Sequence, residues 1–133
     1  MMTVKVSVKE LVARAEAEIE TISVSEAMAI ADRDDVVFID LRDIRELWRE
    51  GKIPGAKHIP RGMLEFWIDP ESPYHKPFFG EDVRFVFYCN LGWRSALSTQ
   101  LAQIMGLEKA CHIEGGFDAW VKAGGAKEEV QKR

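Results

Sequence analysis

The sequence predicts an α/β fold in which a parallel sheet is covered on both faces by helices. Three observations lead there. Residues 36–39, 85–88 and 110–113 are short apolar runs rich in β-formers, without polar alternation, the pattern of strands buried on both sides. Segments with helical apolar spacing alternate with these runs along the chain, so neighbouring strands must be joined by right-handed crossovers. The chain has 133 residues, 47% of them hydrophobic, and no internal repeat, which suits one domain with a sizeable core.

Residues 1–20 read as an N-terminal helical extension, 21–125 as the domain proper and 126–133 as a polar, mobile tail. In the extension, Ser7 and Glu10 have capping-box spacing, and Val8, Leu11, Val12, Ala15 and Ile19 mark one apolar helix face. Thr21-Ile22 forms a short strand, and Ser23 with Glu26 repeats the capping signal for a helix ending near Ala31. The strand over 36–39 runs into Asp40-Leu41-Arg42, and a helix over 44–50 turns Leu47 and Trp48 inward before Gly51 closes it. Gly51-Lys52-Ile53-Pro54-Gly55-Ala56 is turn chemistry, followed by an extended Lys57-His58-Ile59-Pro60 and a short apolar helix over 61–68. Residues 69–80 carry Pro70, Pro73 and Pro77 without periodicity and form a loop. Its rings, Tyr74, Phe78 and Phe79, either rim a site or pin the loop to the core, and pinning is expected. After the strand over 85–88, a helix from Ser95 carries Leu97, Leu101, Ile104 and Met105 as its apolar face and stops at Gly106. The strand over 110–113 leads to a last helix with Phe117, Trp120 and Val121 inward, ended by Gly124-Gly125.

The formal net charge of -4 gives no basis for a nucleic-acid or anionic-membrane surface. No apolar run approaches the roughly 20 residues of a membrane span, and charged residues stand where a signal peptide needs an apolar core. A cytoplasmic protein is the expectation. The 2 cysteines, Cys89 and Cys111, lack both C-x-x-C spacing and the density of a disulfide scaffold. The 3 histidines, His58, His75 and His112, lack metal-ligand spacing and are expected on the surface or in strands. Neither metal nor cofactor is expected.

Chemistry concentrates in Cys89-Asn90-Leu91-Gly92-Trp93-Arg94-Ser95, between a strand and a helix. A cysteine at the C-terminal end of a parallel strand lies where open α/β sheets hold ligands. Unpaired amides at the helix start and in a tight loop favour an anion. Such surroundings lower a cysteine pKa from about 8.5 to roughly 3.5–7.5. Gly92 supplies backbone freedom, and Arg94 a permanent cation. The competing reading is a small, buried, inert thiol at Cys89. Cys111 is expected in the core.

Four stretches together resemble a single-domain rhodanese, over nearly all of 21–125. Asp40-Leu41-Arg42 with Glu46 resembles that family's strand-end D-x-R and following Glu. Gly51-Lys52-Ile53-Pro54-Gly55-Ala56, followed by His58-Ile59-Pro60, resembles its G-H-I-P-G-A box, with Lys52 in place of the usual His. Cys89 to Ser95 resembles the active loop C-x-x-G-x-R-S, and Glu114-Gly115-Gly116-Phe117 with Trp120 and Gly124 the closing G-G-x-x-x-W segment. The resemblance implies a three-layer rhodanese-like fold with a central parallel sheet of about five strands. It implies a sulfurtransferase: Cys89 takes sulfane sulfur from a small donor such as thiosulfate, holds it as a persulfide, and passes it to a thiol acceptor, a protein among the candidates. Asn90, Leu91, Gly92, Trp93, Arg94 and Ser95 would bind substrate, with the nucleophile activated by electrostatics rather than by a histidine base. Asp40 and Arg42 are expected to brace the loop as an ion pair, and Arg94 either binds substrate or braces. Two alternatives are a non-catalytic rhodanese-like binding module and a phosphatase or arsenate reductase, whose loop resembles this one but is a residue longer. Asn90 and Leu91 replace the basic residues that often follow the cysteine in thiosulfate-specific members. Thiosulfate is therefore expected to be a poor donor beside a protein or low-molecular-weight persulfide.

Overall fold

In the computed structural model, which describes residues 2–133, the sequence's alternation becomes five parallel strands and six helices. The strands β1 (Glu20–Ile22), β2 (Val36–Asp40), β3 (Lys57–His58), β4 (Arg84–Tyr88) and β5 (Cys111–Ile113) lie in the order β1-β5-β4-β2-β3. β4 shows why its run is apolar throughout. Successive side chains leave a strand on opposite faces, so Phe85 and Phe87 enter one core while Val86 and Tyr88 enter the other. The first core packs Ile22, Phe38, Cys111 and Ile113 against α2 (Val24–Ile30) and α6 (Gly116–Lys122), through Ala27, Phe117 and Trp120. The second packs Ile39, Phe85 and Phe87 against α4 (Leu64–Ile68) and α5 (Trp93–Met105), through Leu64, Ile68 and Ala102. α1 (Val8–Glu18) lies outside α5, with Val12 and Ala15 against Ala96.

The topology fixes the place of the site. β2 continues through α3 (Ile44–Glu50) to β3 on one side, whereas β4 continues through α5 to β5 on the other. Connections that diverge in this way open a crevice at the strands' C-terminal ends. Asp40 and Tyr88 pair in register there, so Cys89 and the Asp40-Leu41-Arg42 stretch leave the sheet side by side.

The capping signals are real, with one difference. Ser23 and Glu26 close a full capping box, and Asp43 with Glu46 closes another at α3 that the sequence reading passed over. Ser7 accepts the Glu10 N–H at 3.1 Å, but the Glu10 carboxylate turns to Arg14 instead of completing the box.

Four expectations need correction, and the first is at α6, where Val121 is 38% exposed instead of turned inward with Phe117 and Trp120. Ile104 is 75% exposed and Met105 lies at the surface, so the buried face of α5 is made of Ser95, Ala96, Ser98, Thr99 and Ala102. Small residues are required because α5 is pressed between the sheet and α1, where large side chains would hold the layers apart. The helix also starts at Trp93, two residues before Ser95. The start of the polar tail, expected to be mobile, is tied through Glu128 largely by backbone groups, which apolar patterning does not register. Lys52 and Glu128 exchange N–H···O bonds of 3.0 and 2.8 Å, the Glu128 carboxylate accepts the Gly55 N–H at 3.0 Å, and the Trp120 indole N–H donates to Ala126 at 2.8 Å. The aromatic loop does pin itself to the core: Phe79 is buried against Phe85, its ring centroid 5.1 Å away.

Candidate active site

The turn that follows β4 ends at Gly92, whose φ of +112° is open to glycine and strained for other residues. Gly92 is the N-cap of α5 and has no side chain to accept the helix's unpaired amides. The sulfur of Cys89 takes that role. The Gly92 N–H donates to Sγ at 3.2 Å and the Ser95 N–H, third in the helix, at 3.4 Å. The Ser95 hydroxyl stands 3.6 Å from the same sulfur. Cys89 is only 1% exposed, yet it forms the floor of a cleft of about 440 Å³ shared with Asn90, Leu91, Trp93 and Arg94. Leu91 and Trp93 are exposed and make its mouth apolar.

The loop is seated from below by α6. The Phe117 and Asp118 N–H groups donate to the carbonyls of Cys89 (2.8 Å) and Asn90 (3.1 Å). This approach explains the paired glycines: Gly115 and Gly116 have φ of +75° and +59°, and a Cβ at Gly116 would strike both loop carbonyls. Arg94 turns sideways, its two terminal nitrogens donating to the Glu46 carboxylate at 2.8 and 3.0 Å. Glu46 also accepts the Asp43 N–H at 3.0 Å, so one carboxylate caps α3 and holds the active loop.

The hydrogen bonds from Arg94 hold the Glu46 carboxyl below its ordinary value. A carboxyl depressed in the folded state stabilises the fold above its unfolded pKa, and that contribution is lost as pH falls through the lowered folded value. Glu46→Gln should remove this acid-sensitive contribution, measurable as a flatter dependence of Tm on pH below about pH 5. With the loop less firmly braced, any reaction at Cys89 should slow about tenfold, less than the ~10²-fold that a 1 Å misplacement can cost.

Asp40 and Arg42 do not face the cleft. Both are 0% exposed, and Arg42 donates to Asp40 from Nε at 3.0 Å and from Nη2 at 2.7 Å. Nη2 also reaches the Gly51 carbonyl at 2.7 Å, and the guanidinium lies 4.3 Å from the Phe117 ring centre. The pair thus supports the loop at one remove, through the residue whose N–H holds Cys89. Among the described residues no cluster of three or more His, Cys, Asp or Glu side chains could hold a metal, and no helix is long and apolar enough to cross a membrane.

The sheet order, the cysteine after β4 and the glycine-seated loop coincide with a family match: residues 23–123 fit the model of the rhodanese-like domain. The chain belongs to the rhodanese-like domain family. It is 30% identical over 108 residues to the human thiosulfate:glutathione sulfurtransferase, covering 77% of this chain and 93% of the relative. It is 30% identical over 101 residues to a mouse protein named thiosulfate sulfurtransferase/rhodanese-like domain-containing protein 3, covering 72% of this chain and 64% of that protein. A solved structure from Rhodopseudomonas palustris, described as a protein of unknown function and possible tyrosine phosphatase, superposes with a TM-score of 0.94 at 52% identity, over 96% of this chain and 98% of that one.

One polar chain beneath the rhodanese loop escaped the sequence reading. His112 is buried, its Nδ1 2.9 Å from Ser95 Oγ and its Nε2 3.1 Å from Thr21 Oγ1. Burial pushes its pKa down to about 4, so the ring is neutral near pH 7. A signal existed. Cys111 and Ile113 flank His112 and enter the α2/α6 core, so a period of two sends His112 to the face where α5 passes. Cys111 itself is an inert thiol, pushed up to about 11 by burial.

Proposed function

We propose that this protein is a sulfurtransferase that carries sulfane sulfur as a persulfide on Cys89. The observation that carries the reading is the Cys89 sulfur standing in for the missing cap of α5, with the Gly92 and Ser95 amides aimed at it. As a thiolate the sulfur accepts both N–H···S bonds, and in that form it attacks the outer sulfur of the donor. The donor's S–S bond breaks, and its inner group leaves with the electron pair as sulfite or a thiolate. The terminal sulfur then lies in the cleft over Trp93 and Arg94, whose amides begin α5 without a side-chain cap. Amides placed before the reaction stabilise the developing charge without reorganising. An acceptor thiolate attacks that sulfur, and Cys89 leaves as the thiolate it began as.

The names of the relatives at 30% identity support sulfurtransferase activity in general. For the donor, the cleft itself is the guide. Arg94 is committed to Glu46 and the mouth is Leu91 and Trp93, so a free dianion meets little unpaired positive charge. A low-molecular-weight or protein-borne persulfide, with an apolar stem against those side chains, fits better than thiosulfate.

The description of the bacterial structure as a possible phosphatase favours a second reading, a Cys89 phosphoester hydrolase. Two features weigh against it. Among the described residues, the one guanidinium lining the cleft is tied to a carboxylate, and no carboxylic acid or histidine lines it to protonate a leaving group. Intact mass after incubation with glutathione persulfide decides. The expected result is a gain of one sulfur atom, lost on adding cyanide or a thiol. No adduct, together with turnover of an aryl phosphate, would overturn the reading.

A further inference from the structure

We propose that His112 is a positioning residue that acts through Ser95, and that Cys89, Ser95, His112 and Thr21 form a proton relay from the buried nucleophile to solvent at the β1 edge. The inference rests on Cys89 being the sulfur carrier, and it assigns an inward route by which that thiol loses and regains its proton. The links are Sγ to Oγ at 3.6 Å, Oγ to Nδ1 at 2.9 Å and Nε2 to Thr21 Oγ1 at 3.1 Å, and Thr21 is exposed on the edge strand. Cys89, Ser95 and His112 are all buried, so these hydrogen bonds give the sulfur an inward proton route beside the cleft whose floor it forms.

The protons balance in two arrangements. In the thiol state the S–H donates to Ser95 Oγ, the Ser95 O–H donates to Nδ1, and Nε2–H donates to Thr21. On ionisation the S–H bond breaks, its proton passes to Oγ, and the serine's own proton passes to Nδ1. The imidazolium so formed is disfavoured by burial and releases its Nε2 proton through Thr21 to water. What remains is the Nδ1–H tautomer, which donates to Oγ and leaves the hydroxyl hydrogen for the anionic sulfur. The Gly92 carbonyl competes for that hydrogen at 3.3 Å, but it already accepts the Ala96 N–H at 3.0 Å, and an anion is the stronger acceptor.

Through Ser95 the ring meets Cys89, which the Arg94 guanidinium also faces. Ser95 comes from α5 and Thr21 from β1, and Phe87 is its neighbour in register on β4. None of these is charged, and burial is the cause of the shift at His112. A ring kept neutral can change tautomer without creating a buried charge, which is what a relay beside a thiolate requires.

The test reads the thiolate directly and needs no sulfur donor, so it stands apart from any failure of the transfer assay. Iodoacetamide labelling of the full chain is followed against pH by mass spectrometry of the tryptic peptide spanning 85–94, which separates Cys89 from Cys111. Ser95→Ala and His112→Phe should each raise the labelling midpoint by about one pH unit, a tenfold loss of thiolate at any pH well below that midpoint. His112→Asn, which returns an amide N–H donor at that position, should recover at least half of that shift. Thr21→Val, at an exposed strand position, should move the midpoint in the same direction by less. An unmoved midpoint in His112→Phe, or equal shifts in the Phe and Asn variants, would make His112 a packing residue and overturn the relay. Should His112→Phe not fold, nitrogen-15 imidazole shifts of the unaltered protein decide. A change from the Nε2–H to the Nδ1–H pattern as pH crosses the Cys89 midpoint supports the relay, and a constant tautomer refutes it.

Discussion

Replacing Cys89 with serine should reduce persulfide-dependent sulfur transfer by at least ~10⁴-fold, on the scale seen when a nucleophile is removed from a catalytic unit. Serine keeps the shape and leaves an oxygen for the Gly92 and Ser95 amides, so the α5 cap survives in weaker form. What it loses is the chemistry. A hydroxyl is not ionised near neutral pH by two amides, and oxygen does not form the polarizable S–S linkage from which an acceptor can take sulfur. Cys89→Ala is the informative companion. It removes the cap acceptor, leaving two buried amides unpaired at about 1–3 kcal/mol each, and should lower Tm where the serine variant does not. Transfer rates with glutathione persulfide and thermal melts of the three proteins check both statements. Serine retaining transfer would mean that sulfur is carried elsewhere.

The parts of this molecule that could be read from sequence are those governed by period and by covalent order. The strand runs over 36–39 and 85–88 fall within β2 and β4, and Asp40 and Cys89 do leave the sheet together. The loop could be read because its residues are contiguous. What was hidden depends on packing between segments far apart in the chain. Glu46 and Arg94 meet across 48 positions, and Ser95 and His112 across 17. The face of α5 was misread because hydrophobicity marks large apolar residues, whereas a helix between a sheet and another helix selects small ones. The start of the tail was hidden for a related reason: its anchors are the backbone groups of Lys52 and Glu128.

The largest effect on stability is expected at Asp40→Ala. Arg42 is 0% exposed and its charge is sustained against burial by the hydrogen bonds and charge of Asp40. One terminal nitrogen, Nη1, already has no hydrogen-bond partner and sits 3.7 Å from the Glu50 carboxylate. Removing Asp40 leaves a guanidinium sealed between Tyr88, Phe117 and the Gly51 turn. Breaking a buried pair in this way costs about 3–5 kcal/mol, a large part of the 5–15 kcal/mol that holds a domain together. For a chain of this length that is a fall in Tm of roughly 10–20 °C. Sulfur transfer should fall with it even below the melt, because Phe117 both packs on Arg42 and donates to the Cys89 carbonyl. The double variant Asp40→Ala with Arg42→Met separates charge from volume. It restores an apolar filling with no orphaned cation, so it should be more stable than Asp40→Ala alone, since apolar replacements of buried pairs are often neutral or better. If the single variant melts within about 3 °C of the unaltered protein, water or Glu50 must already be satisfying Arg42, and the pair is not the clamp on α3 and α6 that its geometry describes.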